Sequence, residues 1–216
     1  MDDSGIKPME PTSLDRWRHV CSALDLTNSD AVREKLLRSW AGWGRHYHTT
    51  AHLTACLREF DTARGLSARP AEVELALWFH DAIYRPYRSD NEIRCAAWAT
   101  AFMRSHGASI DATTRVRDLV LATQHNTGDM TGDCALVTDV DLSILGQSQV
   151  AYDEFERNVR REFWWVPKKR YARARTRVLR SFLSRPTLYF WPSFRDRCET
   201  AARDNLERAI ATLTRE

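Results

Sequence analysis

The chain has 216 residues, 43% of them hydrophobic and 28% charged, with a formal net charge of +3 at pH 7. That balance fits one soluble domain with a sizeable core and excludes a chain too polar to fold. No run of about 18 apolar residues is present, which excludes a membrane-crossing helix, and the scarcity of Gly (8) and Pro (7) favours helix throughout.

Residues 1–12, MDDSGIKPMEPT, are polar and lack the apolar stretch of a secretory signal, so they read as a disordered tail. From residue 13 the spacing predicts about ten helices in a single domain over 13–216. The first spans about 13–25 with Ser13 as its cap, and the second about 29–41, stopping near Gly42 and Gly44. The third spans about 49–64 and ends at Gly65; Pro70 opens the fourth, about 70–82. Ser89 and Glu92 suggest a capping box for the fifth, about 90–105. The sixth and seventh cover about 111–125 and 134–145, and a C-terminal helical extension follows over about 148–164, 168–184 and 193–214. No period-two alternation persists, so the fold class is all-α. The five cysteines are odd in number, scattered and without a C-x-x-C pair, which points to reduced thiols and a cytoplasmic protein.

The ionisable residues are placed by the same periodicity. Val73, Ala76, Leu77 and His80 form one stripe of the fourth helix, so His80 points inward with Asp81 beside it at the helix end. In the third helix His52 shares the face of Leu53 and Cys56, with His48 one turn earlier. In DVDLSILG, Asp141 is four residues from both Val137 and Leu145 and points to the core, while Asp139 lies toward the edge. Buried carboxylates need a partner. His52, His80, Asp81 and Asp141 together make a mixed nitrogen and oxygen set that suits a divalent ion such as Mn, Fe, Co, Ni, Mg or Zn. A hydrogen-bonded core cluster with no metal is the competing reading.

Charge is unevenly spread. Residues 157–185 carry eleven Arg or Lys against one acid, Glu162, a net of +10 that leaves −7 for the remainder. Such a segment either pairs within the chain or meets an anionic partner. Basic residues interleaved with aromatics fit nucleic acid, and helical spacing of Val159, Phe163, Val178, Phe182 and Leu183 fits core packing. Trp164, Trp165 and Trp191 would suit a homo-oligomer interface.

The stretches RHYHTTAHL, ALWFHDAIY, SDNEIRCA, TQHN, DVDLSILG and ARDNLERAI resemble the HD-domain metal-dependent phosphohydrolases, in particular their small bacterial group of predicted HD-superfamily phosphohydrolases. The resemblance covers roughly residues 30–210. It implies an all-α bundle in which His52, His80, Asp81 and Asp141 bind the metal, with His48 the alternative first ligand. It also implies hydrolysis of a phosphoester or phosphoanhydride in a small phosphorylated substrate, often a nucleotide. His125, Glu92 and His48 are then the candidate acids and bases, and Arg85 and Arg88 the candidate phosphate clamp. The alternative function is a non-catalytic protein that senses a nucleotide or binds nucleic acid through 157–185.

Overall fold

The structure is a computed structural model that describes residues 9–125 and 130–215. Among these residues the regular structure is wholly helical: α1 (Leu14–Ala23), α2 (Asp30–Trp40), α3 (Thr50–Ala63), α4 (Pro70–Phe79), α5 (Asn91–Ser105), α6 (Ile110–Ala122), α7 (Gly132–Leu142), α8 (Gln149–Glu162), α9 (Lys168–Leu183) and α10 (Pro192–Thr214), with 3-10 turns at Arg64–Leu66 and Ser143–Gly146. The all-α fold and the count of ten therefore match the expectation. No helix among the described residues is long and apolar enough to cross a membrane. Most of the expected tail, residues 1–8, lies outside the described residues; Thr12 is held, its carbonyl accepting from the Arg33 guanidinium.

Local chemistry sets the helix starts. Ser13, Ser109 and Ser148 each accept a backbone N–H from three residues on, at Arg16, Ala112 and Ala151. Pro70 and Pro192 occupy first turns, where their missing N–H costs nothing. The capping box expected from Ser89 and Glu92 does not form. Asp90 is the N-cap, without a side-chain cap bond. Its carboxylate is taken by Arg88 at 2.6 Å and Arg94 at 2.9 Å. The Asn91 amide clamps the preceding loop by bonding Arg85 N–H and C=O, each at 3.0 Å. Glu92 is left free to turn elsewhere.

Helix α4 is the axis of the bundle. It packs against α1, α3, α5, α6 and α7, and every residue from Glu72 to Phe79 is buried. A helix apolar all round belongs in a core, so His80 points inward because α4 is central rather than because one stripe of it is apolar. Glu74, buried in that helix, meets the Arg16 Nε at 2.6 Å, and Arg16 also forks onto Asp61 at 2.8 Å through each nitrogen. Trp17 packs edge-on against Trp78 with ring centroids 5.1 Å apart, and the Trp40 indole donates to the Trp78 carbonyl at 3.0 Å.

Helices α8, α9 and α10 close one end of the bundle. Gly146 lets the Ser143–Gly146 turn lie directly on α10: a Cβ there would stand 2.8 Å from the Cys198 carbonyl oxygen. Two expectations change here. Trp191 is not exposed as expected: it is partly buried against the core, its indole N–H donating to the Gly132 carbonyl at 3.3 Å and its backbone N–H to Asp139 at 2.7 Å. Val178 is 44% exposed, not core. All five cysteines are free thiols.

Candidate metal centre

Four helix ends meet at one place. Thr49 caps α3, its hydroxyl accepting the Ala51 N–H at 3.3 Å, and His52 follows in the first turn. His80 and Asp81 lie just past the end of α4, Asp141 lies in the last turn of α7, and His125 lies just past α6. Arg45, in the loop before α3, ties these ends together. Its guanidinium donates to the carbonyls of His48, Asp81 and Ala82, each at 2.8 Å.

The His80 Nδ1–H donates to the Leu77 carbonyl at 2.8 Å, which turns Nε2 toward the cluster. That Nε2 lies 3.2 Å from His52 Nε2 and 3.5 Å from both Asp141 Oδ1 and Asp81 Oδ2. His52 Nε2 lies 3.1 Å from Asp141 Oδ1 and 3.8 Å from Asp81 Oδ2. Two imidazole nitrogens facing each other among carboxylate oxygens need a hydrogen between them or a metal ion in its place. Donors that share a first-row ion at about 2.0–2.2 Å stand about 3.0–3.6 Å from one another, and all these separations but the His52–Asp81 one fall in that range.

Burial and charge divide the protons. Burial alone would lower both histidines. At His52 it prevails and holds the ring neutral. At His80 the carboxylates of Asp81 and Asp141 outweigh it and raise the pKa to about 9. For Asp141 burial works upward, but the His80 charge and the hydrogen bonds from His125, His52 and His80 hold it well below the usual carboxylate range. Without metal, a proton on His80 is the cation.

Cys56 also borders the cluster. Its Sγ is 3.7 Å from both ring nitrogens of His52, beside the imidazole, and burial pushes its thiol well up. The group His52, Cys56, His80 and Asp141 could hold a metal ion, its ligand atoms all lying within 4.8 Å of one another. Asp81 completes the ring on the side that opens to a cleft of about 440 Å³.

The other candidates separate into those at the cleft and those away from it. His125 Nε2 donates to Asp141 Oδ2 at 2.9 Å and so aims the other oxygen, Oδ1, at the two histidines. His48 lies one layer out. Its Nε2 stands 3.9 Å from Asp81 Oδ2, its ring stacks on Tyr84 at 3.9 Å, and its Nδ1 meets Glu162 Oε2 at 2.7 Å. The geometry therefore brings His52, not His48, to His80 and Asp141. Glu92 lines the cleft, and burial raises its pKa. Arg85 and Arg88 are exposed and not among the cleft residues, and Arg88 is engaged by Asp90.

Asp139 differs from its expected place. It is fully buried, on the opposite side of α7, where it accepts the backbone N–H groups of Phe190 and Trp191. α7 is covered on both sides, so periodicity separates the two aspartates by direction and not by depth.

Three features in or beside the cleft escaped the sequence reading. Glu162, also fully buried, accepts the backbone N–H groups of His46, Tyr47 and His48 at 2.8, 2.8 and 3.0 Å. Arg175 lines the cleft while forking onto Glu156. Arg185 lines it too, lying over Phe182 and donating to the His125 carbonyl at 2.6 Å, and it has no carboxylate partner among the described residues. A signal existed for Arg175: it precedes Leu179 by four residues and Phe182 by seven, on the inward face of α9. Comparison of the chain with protein-family models, with curated proteins and with solved structures gives no match.

Proposed function

We propose that the protein is a metal-dependent phosphohydrolase of the HD type, acting on a phosphoester or phosphoanhydride of a small compound such as a nucleotide. The observation that carries this reading is the pair of histidine Nε2 atoms 3.2 Å apart, with Asp141 and Asp81 oxygens beside them at the floor of a cleft. His52, His80, Asp81 and Asp141 would hold the ion. When bound, a divalent ion there supplies Lewis acidity and an activated water.

The chain's own groups divide the remaining work. Arg185, unpaired by any acid among the described residues, faces the same cleft as the cluster and binds phosphate oxygens, with Arg175 beside it. The Glu162 carboxylate takes the Nδ1–H of His48, so the Nε2 lone pair of His48 faces the cleft and accepts a proton. Glu92, whose carboxyl holds its proton more tightly than usual because it is buried, is the group placed to donate one. Tyr47, Tyr84 and Phe155 give the cleft an aromatic wall for the organic part of the substrate.

The test is a phosphate-release screen over nucleotides and other phosphate esters with Mn, Co, Ni or Mg, beginning from protein never exposed to chelator. Release that requires added metal, stops with chelator and is lost in Asp141→Ala is the expected result. Metal-loaded protein that releases phosphate from none of these compounds would overturn the enzyme reading.

A further inference from the structure

The basic segment does not spend its charge inside the molecule. The inward cations are satisfied: Arg175 by Glu156, and Arg160 by the Phe163 and Val166 carbonyls. The outward ones are not. Lys169, Arg170, Arg173, Arg177 and Arg180 are exposed on α9, and among the described residues none of them has a carboxylate partner. Their spacing keeps them on one side of the helix, a stripe about 16 Å long at about 1.5 Å per residue. The acidic remainder of the chain leaves this stripe bare.

An aromatic cavity opens at the start of the same stripe. It measures about 540 Å³ and is lined by Tyr87, Phe163, Trp165, Tyr171 and Arg170, so Arg170 belongs to both. Tyr87 is 74% exposed, Trp165 45% and the neighbouring Trp164 68%, an unusual concentration of open rings for a water-facing surface. The Tyr171 hydroxyl is buried and has no hydrogen-bond partner.

We propose that this surface binds single-stranded nucleic acid, with successive phosphates along the α9 stripe and an unstacked base in the aromatic cavity. A row of cations beside ring platforms is what an unpaired strand requires, because its backbone is anionic and its bases offer free faces. An anionic membrane would satisfy the charges, but the cavity is walled by the rings of Tyr87, Phe163, Trp165 and Tyr171, which offer faces for a base to stack on. The inference stands apart from the metal centre and needs no turnover.

The experiment measures anisotropy of a fluorescein-labelled twelve-nucleotide oligothymidylate with the full chain, in chelator, from 50 to 300 mM NaCl. Wild-type protein should bind with affinity that falls linearly on a log–log salt plot. The Lys169→Glu, Arg173→Glu, Arg177→Glu variant should lose at least tenfold in affinity, and its salt slope should shrink by about 2, following about 0.7 per phosphate contact. Trp165→Ala should weaken binding about fivefold or more with the slope unchanged, because stacking is not ionic. All four positions are exposed, so circular dichroism should show the fold retained. Equal affinity of the triple variant and wild type would overturn the proposal. So would a duplex of the same length bound as tightly, or capture by phosphatidylserine vesicles without affinity for the oligonucleotide.

Discussion

With Nδ1–H given to Leu77 and Nε2 facing two carboxylates, His80 keeps its proton up to about pH 9 in the metal-free protein. Its pKa is raised above the ordinary value of 6.5, so the stability it contributes is fully present below about 6.5 and is lost as pH rises through about 9. A metal ion has to displace that proton. Apparent metal affinity should therefore rise about tenfold per pH unit from about 6.5 toward 9, with about one proton released per ion bound. Competition with a chromophoric chelator at three pH values measures it, and a flat profile would contradict the assignment of the proton. The two aspartates of D-V-D make a second test. Asp141→Ala should abolish metal retention. Asp139→Ala should retain metal but lose about 2–4 kcal/mol of stability, because it leaves buried N–H groups of Phe190 and Trp191 unpaired. Asp141 was legible in the sequence from its spacing. The depth of Asp139 was not, because a helix covered on both sides has no exposed face, so spacing gives direction and not burial.

Helices α8 and α9 show what charge counting hides. Glu162 is the single acid of a basic run, yet it falls seven residues after Phe155 and three after Val159 and points inward with them. Burial pushes its carboxyl up, but the His48 hydrogen bond and charge and the backbone N–H groups outweigh that and hold it at about 2. A depressed folded pKa stabilises above the unfolded value, near 4.5, and the contribution is lost as pH falls toward 2. Glu162→Gln should thus remove part of the acid-induced loss of stability between about pH 4.5 and 2, while lowering stability at pH 7. Urea unfolding at pH 3.5 and pH 7 checks this, and an identical pH dependence in both proteins would contradict it. Helix existence along the chain was readable from caps and punctuation such as Ser13, Pro70 and Pro192. The start of α5 near residue 90 was readable too, but its device was not, because ion pairs from Arg88 and Arg94 and the Asn91 clamp on Arg85 replace the S-x-x-E capping box.

Across the whole molecule, the centre is assembled from four helix ends that are far apart in sequence, with Arg45 and Glu162 fastening the loop between them. The sequence offered His52, His80, Asp81 and Asp141 as inward residues. It could not show that Arg175 of α9 and Arg185 just past its end line the same cleft, because that depends on how α9 docks. A metal ion held by this cluster would bind only the assembled form, so a hundredfold excess over its dissociation constant should stabilise by about 2.7 kcal/mol, roughly 5–10 °C in melting temperature for a domain of this size. The most direct measurement is elemental analysis at pH 8 of wild type and Asp141→Ala, each equilibrated with excess Mn and then desalted, with the melting curves recorded on the same samples. At least one ion per wild-type chain and the higher melting temperature, with neither in Asp141→Ala, is the predicted result. A wild-type protein that retains no ion and melts at the same temperature with and without Mn would contradict it, and would make His52, His80, Asp81 and Asp141 a proton-bridged core cluster.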